Sequence, residues 1–272
     1  MILALGGGGW WLWEHSNEGK DLINQYIENS EISTLESKYT PQQIMEIRRP
    51  ELLGTGTKRT YQEPAFKYYP YLLLDVKYTE DKKTREGVLL WSFTDGEMVL
   101  NTQTWEKTHG FKDCLECKAN RQDFKILQAL ASQGGALTLE DLQKRMNVER
   151  DILEPWVEES KQKHLVVQKG NLIQLHFENP KLLVAPQTQF NHHLVSKPLQ
   201  NGQRVSKVYS RNQIIEIAKA AFGSDFKIRS EQEIYLPVYS IGVLNPDGSI
   251  HTSDWNAITA ERIAPKYLSK AR

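Results

Sequence analysis

Two stretches on either side of the chain's middle repeat each other, and this recurrence narrows the fold more than any other feature of the sequence. Thr40-Pro41-Gln42-Gln43-Ile44-Met45-Glu46-Ile47 aligns without a gap with Ser210-Arg211-Asn212-Gln213-Ile214-Ile215-Glu216-Ile217. Both read as helix starts. Thr40 and Ser210 can accept a first-turn N–H, the glutamine three residues on can reach back, and Pro41 suits the first helical position. A β-rich run follows each, Tyr68 to Tyr78 around Pro70 and Ile234 to Leu244 around Pro237. Asp95-Gly96 and Asp247-Gly248 then signal hairpin turns, because the second residue tolerates positive φ. Each copy closes on Thr-x-x-Trp, at Thr102 to Trp105 and Thr252 to Trp255. The pattern predicts duplicated helix-plus-β-hairpin modules, residues 15–118 and 210–272. A lone unit of about 50–60 residues buries little core, so the copies are expected to pair their sheets.

Between the copies the periodicity turns helical. From Arg121, the residues Phe124, Leu127, Leu130 and Ala131 share a face, and Gly134-Gly135 stops the helix. Thr138 caps a second helix, with Leu139, Leu142 and Met146 as its inner stripe. A third helix after Asn147-Val148 is expected to turn Ile152, Leu153, Trp156 and Val157 inward, with Pro155 tolerable only in the first turn. Leu165-Val166-Val167, the turn Lys169-Gly170-Asn171, and Leu172 to Phe177 complete a β-hairpin. Three helices and a β wing resemble the winged helix-turn-helix family over residues 121–178. The expected fold class is α+β, a winged-helix module flanked by two related helix-plus-β-hairpin modules. The resemblance implies one of two activities: DNA binding through the third helix in the major groove, or docking of another protein.

Charge separates the two. Lys+Arg and Asp+Glu both number 34 in 272 residues, so no global field draws the chain to nucleic acid or to an anionic membrane. The third helix offers Glu149, Arg150, Asp151, Glu154, Glu158, Glu159, Lys161 and Lys163, five acids against three bases, a surface that phosphates would repel. Docking of another protein through Arg150, Glu154, Glu158 and Glu159 is the leading expectation. An acid-free stretch within residues 179–209 argues the other way; with Pro186, Pro198 and Gly202 it reads as a basic linker. Its Lys181, Lys197, Arg204 and Lys207, with Lys169 at the wing turn, would meet phosphates in a DNA-binding regulator. A solvated connection is the plainer alternative.

The first thirteen residues, MILALGGGGWWLW, carry no charge. As a helix they would span about 20 Å against a hydrocarbon core of about 30 Å. Three readings stand: a truncated membrane anchor, an interfacial segment held by Trp10, Trp11 and Trp13, or a buried N-terminal piece. The cysteines, Cys114 and Cys117, suit a reduced, cytoplasmic setting, with the N-terminus as a candidate membrane tether.

Complete catalytic constellations are missing. No phosphate-binding loop, nucleophile elbow, zinc-protease or dinucleotide motif occurs, so neither catalysis nor a cofactor is expected. Cys114-x2-Cys117 with His109 makes half a zinc site that His164 or His176 would have to complete; metal-free thiols are the expectation. Glu51, Asp75 and Lys77 resemble the acid, acid-x-Lys arrangement of metal-dependent nucleases, a third and enzymatic alternative.

Overall fold

The structure, a computed structural model, describes residues 31–54, 58–80, 82–177, 180–198 and 202–263. The apolar first thirteen residues lie outside them. The chain is α+β, with an eleven-stranded mixed sheet and a separate three-stranded one.

Two long antiparallel strands form the frame, β3 (Ala65–Glu80) and β12 (Lys227–Leu244). They cross with Tyr69 opposite Leu236, flanked by Tyr68 opposite Pro237 and Pro70 opposite Tyr235. A proline removes a ladder donor, which an interior strand tolerates only where its pairing changes. Both prolines sit at such a change. β11 (Gln203–Arg204) flanks β3 up to Tyr68, and β4 (Lys83–Ser92) takes over from Tyr71. β1 (Glu31–Leu35) meets β12 at Tyr235, and β13 (Ile250–Asn256) takes over from Val238. β5 (Met98–Asn101) and β6 (Glu106–Lys107) extend the sheet past β4, while β2 (Thr60–Tyr61) and β14 (Arg262–Ile263) pair with β12 and β13.

The same bonds recur at both ends of this frame. Phe93 N–H donates to Pro70 O at 3.2 Å, and Ala257 N–H to Pro237 O at 3.1 Å. Past β4 the chain turns with Gly96 N–H on Ser92 O at 3.2 Å; past β13 it turns with Ala260 N–H on Asn256 O at 2.9 Å. The approaches to the helices are exchanged. Val208 and Tyr209, just before α7 (Arg211–Phe222), donate to Phe93 O at 2.9 and 3.0 Å. Lys38 and Tyr39, just before α1 (Pro41–Ile47), donate to Ala257 O at 3.0 and 2.9 Å. Thr40 with Gln43 and Ser210 with Gln213 form full capping boxes, as the sequence predicts. Ile214 shares one large buried cluster with Leu72, Leu74, Val76 and Trp91, and Ile44 shares a smaller one with Ile241, Val243 and Trp255. Each helix therefore covers the hairpin that follows the other helix in the chain.

This arrangement corrects the sequence alignment of the closing tryptophans. Trp255 lies opposite Tyr239, two residues beyond Pro237, and its counterpart is Trp91, opposite Leu72, two beyond Pro70. Both are buried. Trp105 instead sits half-buried in a turn at φ 55°, its indole N–H donating to the Tyr71 hydroxyl at 3.2 Å. Asp95-Gly96 likewise follows β4, whereas Asp247-Gly248 joins β12 to β13.

The stretch read as a linker is part of the sheet. β10 (Leu194–Pro198) pairs with all of β1, and buried Thr188 donates its hydroxyl to Val99 O at 2.6 Å while accepting from Leu90 N–H at 2.9 Å. Lysine and proline here belong to an edge strand, where they discourage further pairing.

The centre runs α4 (Arg121–Ala131), β7 (Ala136–Thr138), α5 (Leu139–Met146), α6 (Arg150–Gln162), β8 (Val166–Lys169) and β9 (Leu172–Leu175), with strand order β7-β9-β8. Thr138 caps α5 as expected, accepting from Asp141 N–H. Two expectations for α6 fail. Pro155 is well past the first turn, and the carbonyl it leaves without a donor belongs to exposed Asp151, where water can serve. Ile152 faces outward at 48% exposure, while Leu153 and Val157 are buried. The centre is not walled off from the sheet: Phe124, Leu130 and Ile173 share a core with Leu74, Trp91 and Ile214. The Arg121 guanidinium donates to Ala220 O and Ala221 O, both at 2.9 Å, satisfying the last turn of α7.

Candidate functional site

α6 holds one face against the core and gives the other to solvent. Its end is fixed by a buried polar knot. Asp123, 1% exposed, accepts from the Ser160 hydroxyl at 2.6 Å, the Lys163 ammonium at 2.6 Å and Asn120 N–H at 2.8 Å. Lys163 also reaches Glu159 at 2.7 Å, and the Asn120 side-chain amide donates to the same carboxylate at 3.0 Å. Burial alone would lower the Lys163 pKa; its bonds to Asp123 and Glu159 outweigh this and hold it above the usual value. This knot ties the start of α4 to the end of α6, so the outer face of α6 is rigidly presented.

On that face charge is compensated locally. Arg150 meets Glu154 at 2.7 Å, and Lys161 meets Glu158 at 2.6 Å. Such exposed pairs add little stability, and the helix keeps its excess of five acids over three bases. The side chain of Ile152 is exposed on a different flank of the helix from these pairs, and on β8 Val167 is exposed. The structure thus puts Arg150, Glu154, Glu158 and Glu159 on one helix, with Glu159 serving the knot and the others in ion pairs within the helix.

The five bases expected to meet an anion do not form one cluster, although Arg204 and Lys207 both lie beside the bonded pair Tyr235 and Glu233. Lys181 is paired with Glu106, and its backbone N–H donates to His109 O at 2.9 Å. Lys197 lies on β10 opposite Ile32. Arg204 lies over the Tyr235 ring at 5.5 Å, and Lys207 is paired with Glu233 and sits 4.7 Å from the Phe93 ring centre. Lys169 ends β8 at the exposed wing turn.

Metal chemistry finds little support. Cys114, on α3 (Phe111–Glu116), is fully buried, and burial pushes its thiol well up; burial also pushes Cys117 up to about 11. In the metal-free protein both stay protonated near neutrality, the weakly nucleophilic form. His164 and His176 face each other with ring centres 6.3 Å apart, near the wing. Among the described residues no group of three or more His, Cys, Asp or Glu side chains could hold a metal ion. Glu51 lies on α2 (Arg49–Leu53), whose Leu52 packs with Trp255, whereas the strand neighbours of Asp75 pack with Trp91. Asp75 accepts from the Ser230 hydroxyl. The neighbours of Glu51 and of Asp75 thus belong to separate core clusters. No protein-family model, curated protein or solved structure matches the chain.

Proposed function

We propose that the protein is a non-enzymatic interaction protein whose docking element is α6 of a winged-helix unit. The order helix, strand, helix, helix, hairpin over residues 121–177, with the first strand added to the hairpin, supports that unit. The observation that carries docking is Ile152, 48% exposed on α6, a helix whose other exposed flank carries the Arg150–Glu154 and Lys161–Glu158 pairs. An exposed apolar side chain on a helix whose bases are already paired with its own acids suits a protein surface. Phosphate contact needs free cations, and the bases on this face are engaged.

The test compares full-length wild type with Ile152→Asp, matched by melting temperature, for retention of proteins from a source extract and of duplex DNA. Docking predicts specific retained protein that falls at least about tenfold in Ile152→Asp. Salt-dependent duplex retention that disappears in Lys169→Glu would replace this reading with a DNA-binding regulator. Mg²⁺-dependent cutting abolished by Asp75→Ala would favour the nuclease.

The doubled bonds at Pro70 and Pro237, with the exchanged helices, support an ancestral duplication in which two copies grew together and the centre was inserted between them. A single copy would leave its hairpin without the helix that covers it.

A further inference from the structure

The outer side of β4 is an open strand edge. β5 pairs with β4 only at Leu90 and Trp91, and Thr188 N–H reaches Val88 O at 2.6 Å. From there back to Lys83 no described strand lies beside β4, although its pairing with β3 runs without a register break to Lys83 opposite Glu80. Val88 O and Leu90 N–H both point away from β3, the latter to the Thr188 hydroxyl. Backbone groups alternate along an antiparallel strand, so the N–H and C=O of Glu86 and Thr84 point the same way. No described residue bonds to them, and both residues are exposed. Other edges are blunted: β10 ends in Lys197-Pro198, and β12 carries a bulge between Ile228 and Ser230. Residues 83–88 have neither proline nor bulge. At Gly87 and Val88 the edge opens on a cleft of about 450 Å³ shared with residues 187–191.

Charge and backbone together define the occupant. Lys83 and Arg85 share one face of β4 beside the edge. On the other face Lys77 lies directly between Lys227 and Glu86. Glu80, opposite Lys83, is held by Arg85 at 2.7 Å, and Glu86 by Arg229 at 2.8 Å. Lys77, Lys83 and Lys227 therefore have no acidic partner among the described residues. A second copy of this edge would bring Lys83 and Arg85 against their like, which repels. An acidic strand would instead set carboxylates directly opposite them. The free N–H and C=O groups at Thr84 and Glu86 select a peptide over a phosphate or a lipid headgroup, because only a peptide has a backbone to complete the ladder.

We propose that the edge of β4 from Lys83 to Val88 takes up an extended, acidic peptide segment of a partner protein as an added antiparallel strand, with main-chain bonds at Thr84 and Glu86 and carboxylates opposite Lys83 and Arg85. This does not depend on α6 being a docking helix. The test follows a fluorescein-labelled peptide, Thr-Glu-Val-Glu-Val-Glu-Thr with blocked ends, by anisotropy against the full chain. Two control peptides carry lysine at each glutamate, or proline at each valine. In the proposed register the valines are the hydrogen-bonded partners of Thr84 and Glu86, so proline removes the ladder donors and keeps the charge. The acidic peptide should bind at least about tenfold more tightly than either control. Its addition should slow amide hydrogen exchange at Thr84 and Glu86. Lys83→Glu changes an exposed side chain, and Thr84→Pro removes an N–H that the ladder with β3 does not use. Each should weaken binding at least about tenfold with the melting temperature unchanged, and Lys169→Glu should preserve it. Equal binding of the proline peptide would reduce the edge to a charged patch. Absence of binding up to about 1 mM would leave its bases as a guard against pairing between copies. Either result overturns the proposal.

Discussion

Asp254 shows how one side chain secures the crossing of the two long strands. It sits on β13 and takes the Lys67 ammonium at 3.0 and 3.1 Å and the Tyr69 hydroxyl at 2.6 Å, both from β3. Burial alone would raise the Asp254 pKa; Tyr69, Ser240 and Lys67 outweigh it and hold the carboxyl below the usual range. Burial and the Asp254 carboxylate together push the Tyr69 hydroxyl well up, so it remains a donor. A carboxyl depressed in the folded state stabilises above its unfolded pKa of about 3.9, and that contribution disappears as pH falls through the folded value. Asp254→Asn should therefore cost about 1–2 kcal/mol at neutral pH. Urea midpoints of the two proteins should converge below about pH 4. A difference that stays constant down to low pH would show that charge is not what Asp254 contributes. Nothing near Asp254 in sequence announces this role, because its partners come from a strand on the far side of residues 121–177.

Local signals were readable where chain neighbours make the bond. The capping boxes at Thr40 and Ser210, the cap at Thr138 and the hairpin at Gly170 all join residues a few positions apart, and each stands where the sequence put it. The exchange of helices between hairpins was not readable, because it depends on backbone carbonyls of Phe93 and Ala257 that side-chain pattern does not mark. Ile152 failed for a related reason: helical spacing gives a stripe, but only packing decides where its edge falls. The exchange makes a reciprocal prediction. Trp91→Phe should speed amide hydrogen exchange in α7 more than in α1, and Trp255→Phe should do the reverse, since each indole underlies the helix from the other stretch. Faster exchange in α1 on altering Trp91 would mean that each helix depends on its own hairpin.

At the scale of the whole molecule, the division into modules that the sequence suggests gives way to a shared core. Leu130 of the central unit, Leu74 of β3 and Ile214 of α7 are all fully buried in one cluster, and Arg121 fastens α4 to the end of α7. Composition cannot reveal such sharing, since an inserted domain and a fused one have the same apolar stripes. The energetic consequence is coupling. Loss of several methylenes at a fully buried leucine costs about 2–5 kcal/mol, and in a continuous core that loss is felt by every element packed on it. Leu130→Ala and Leu74→Ala should each lower a single unfolding transition, with circular dichroism and tryptophan fluorescence moving together. Were Leu130→Ala to split the transition, releasing residues 121–177 while the sheet stayed folded, the central unit would be an independent domain resting on the sheet, and the contacts of α4 with α7 would be too weak to join them.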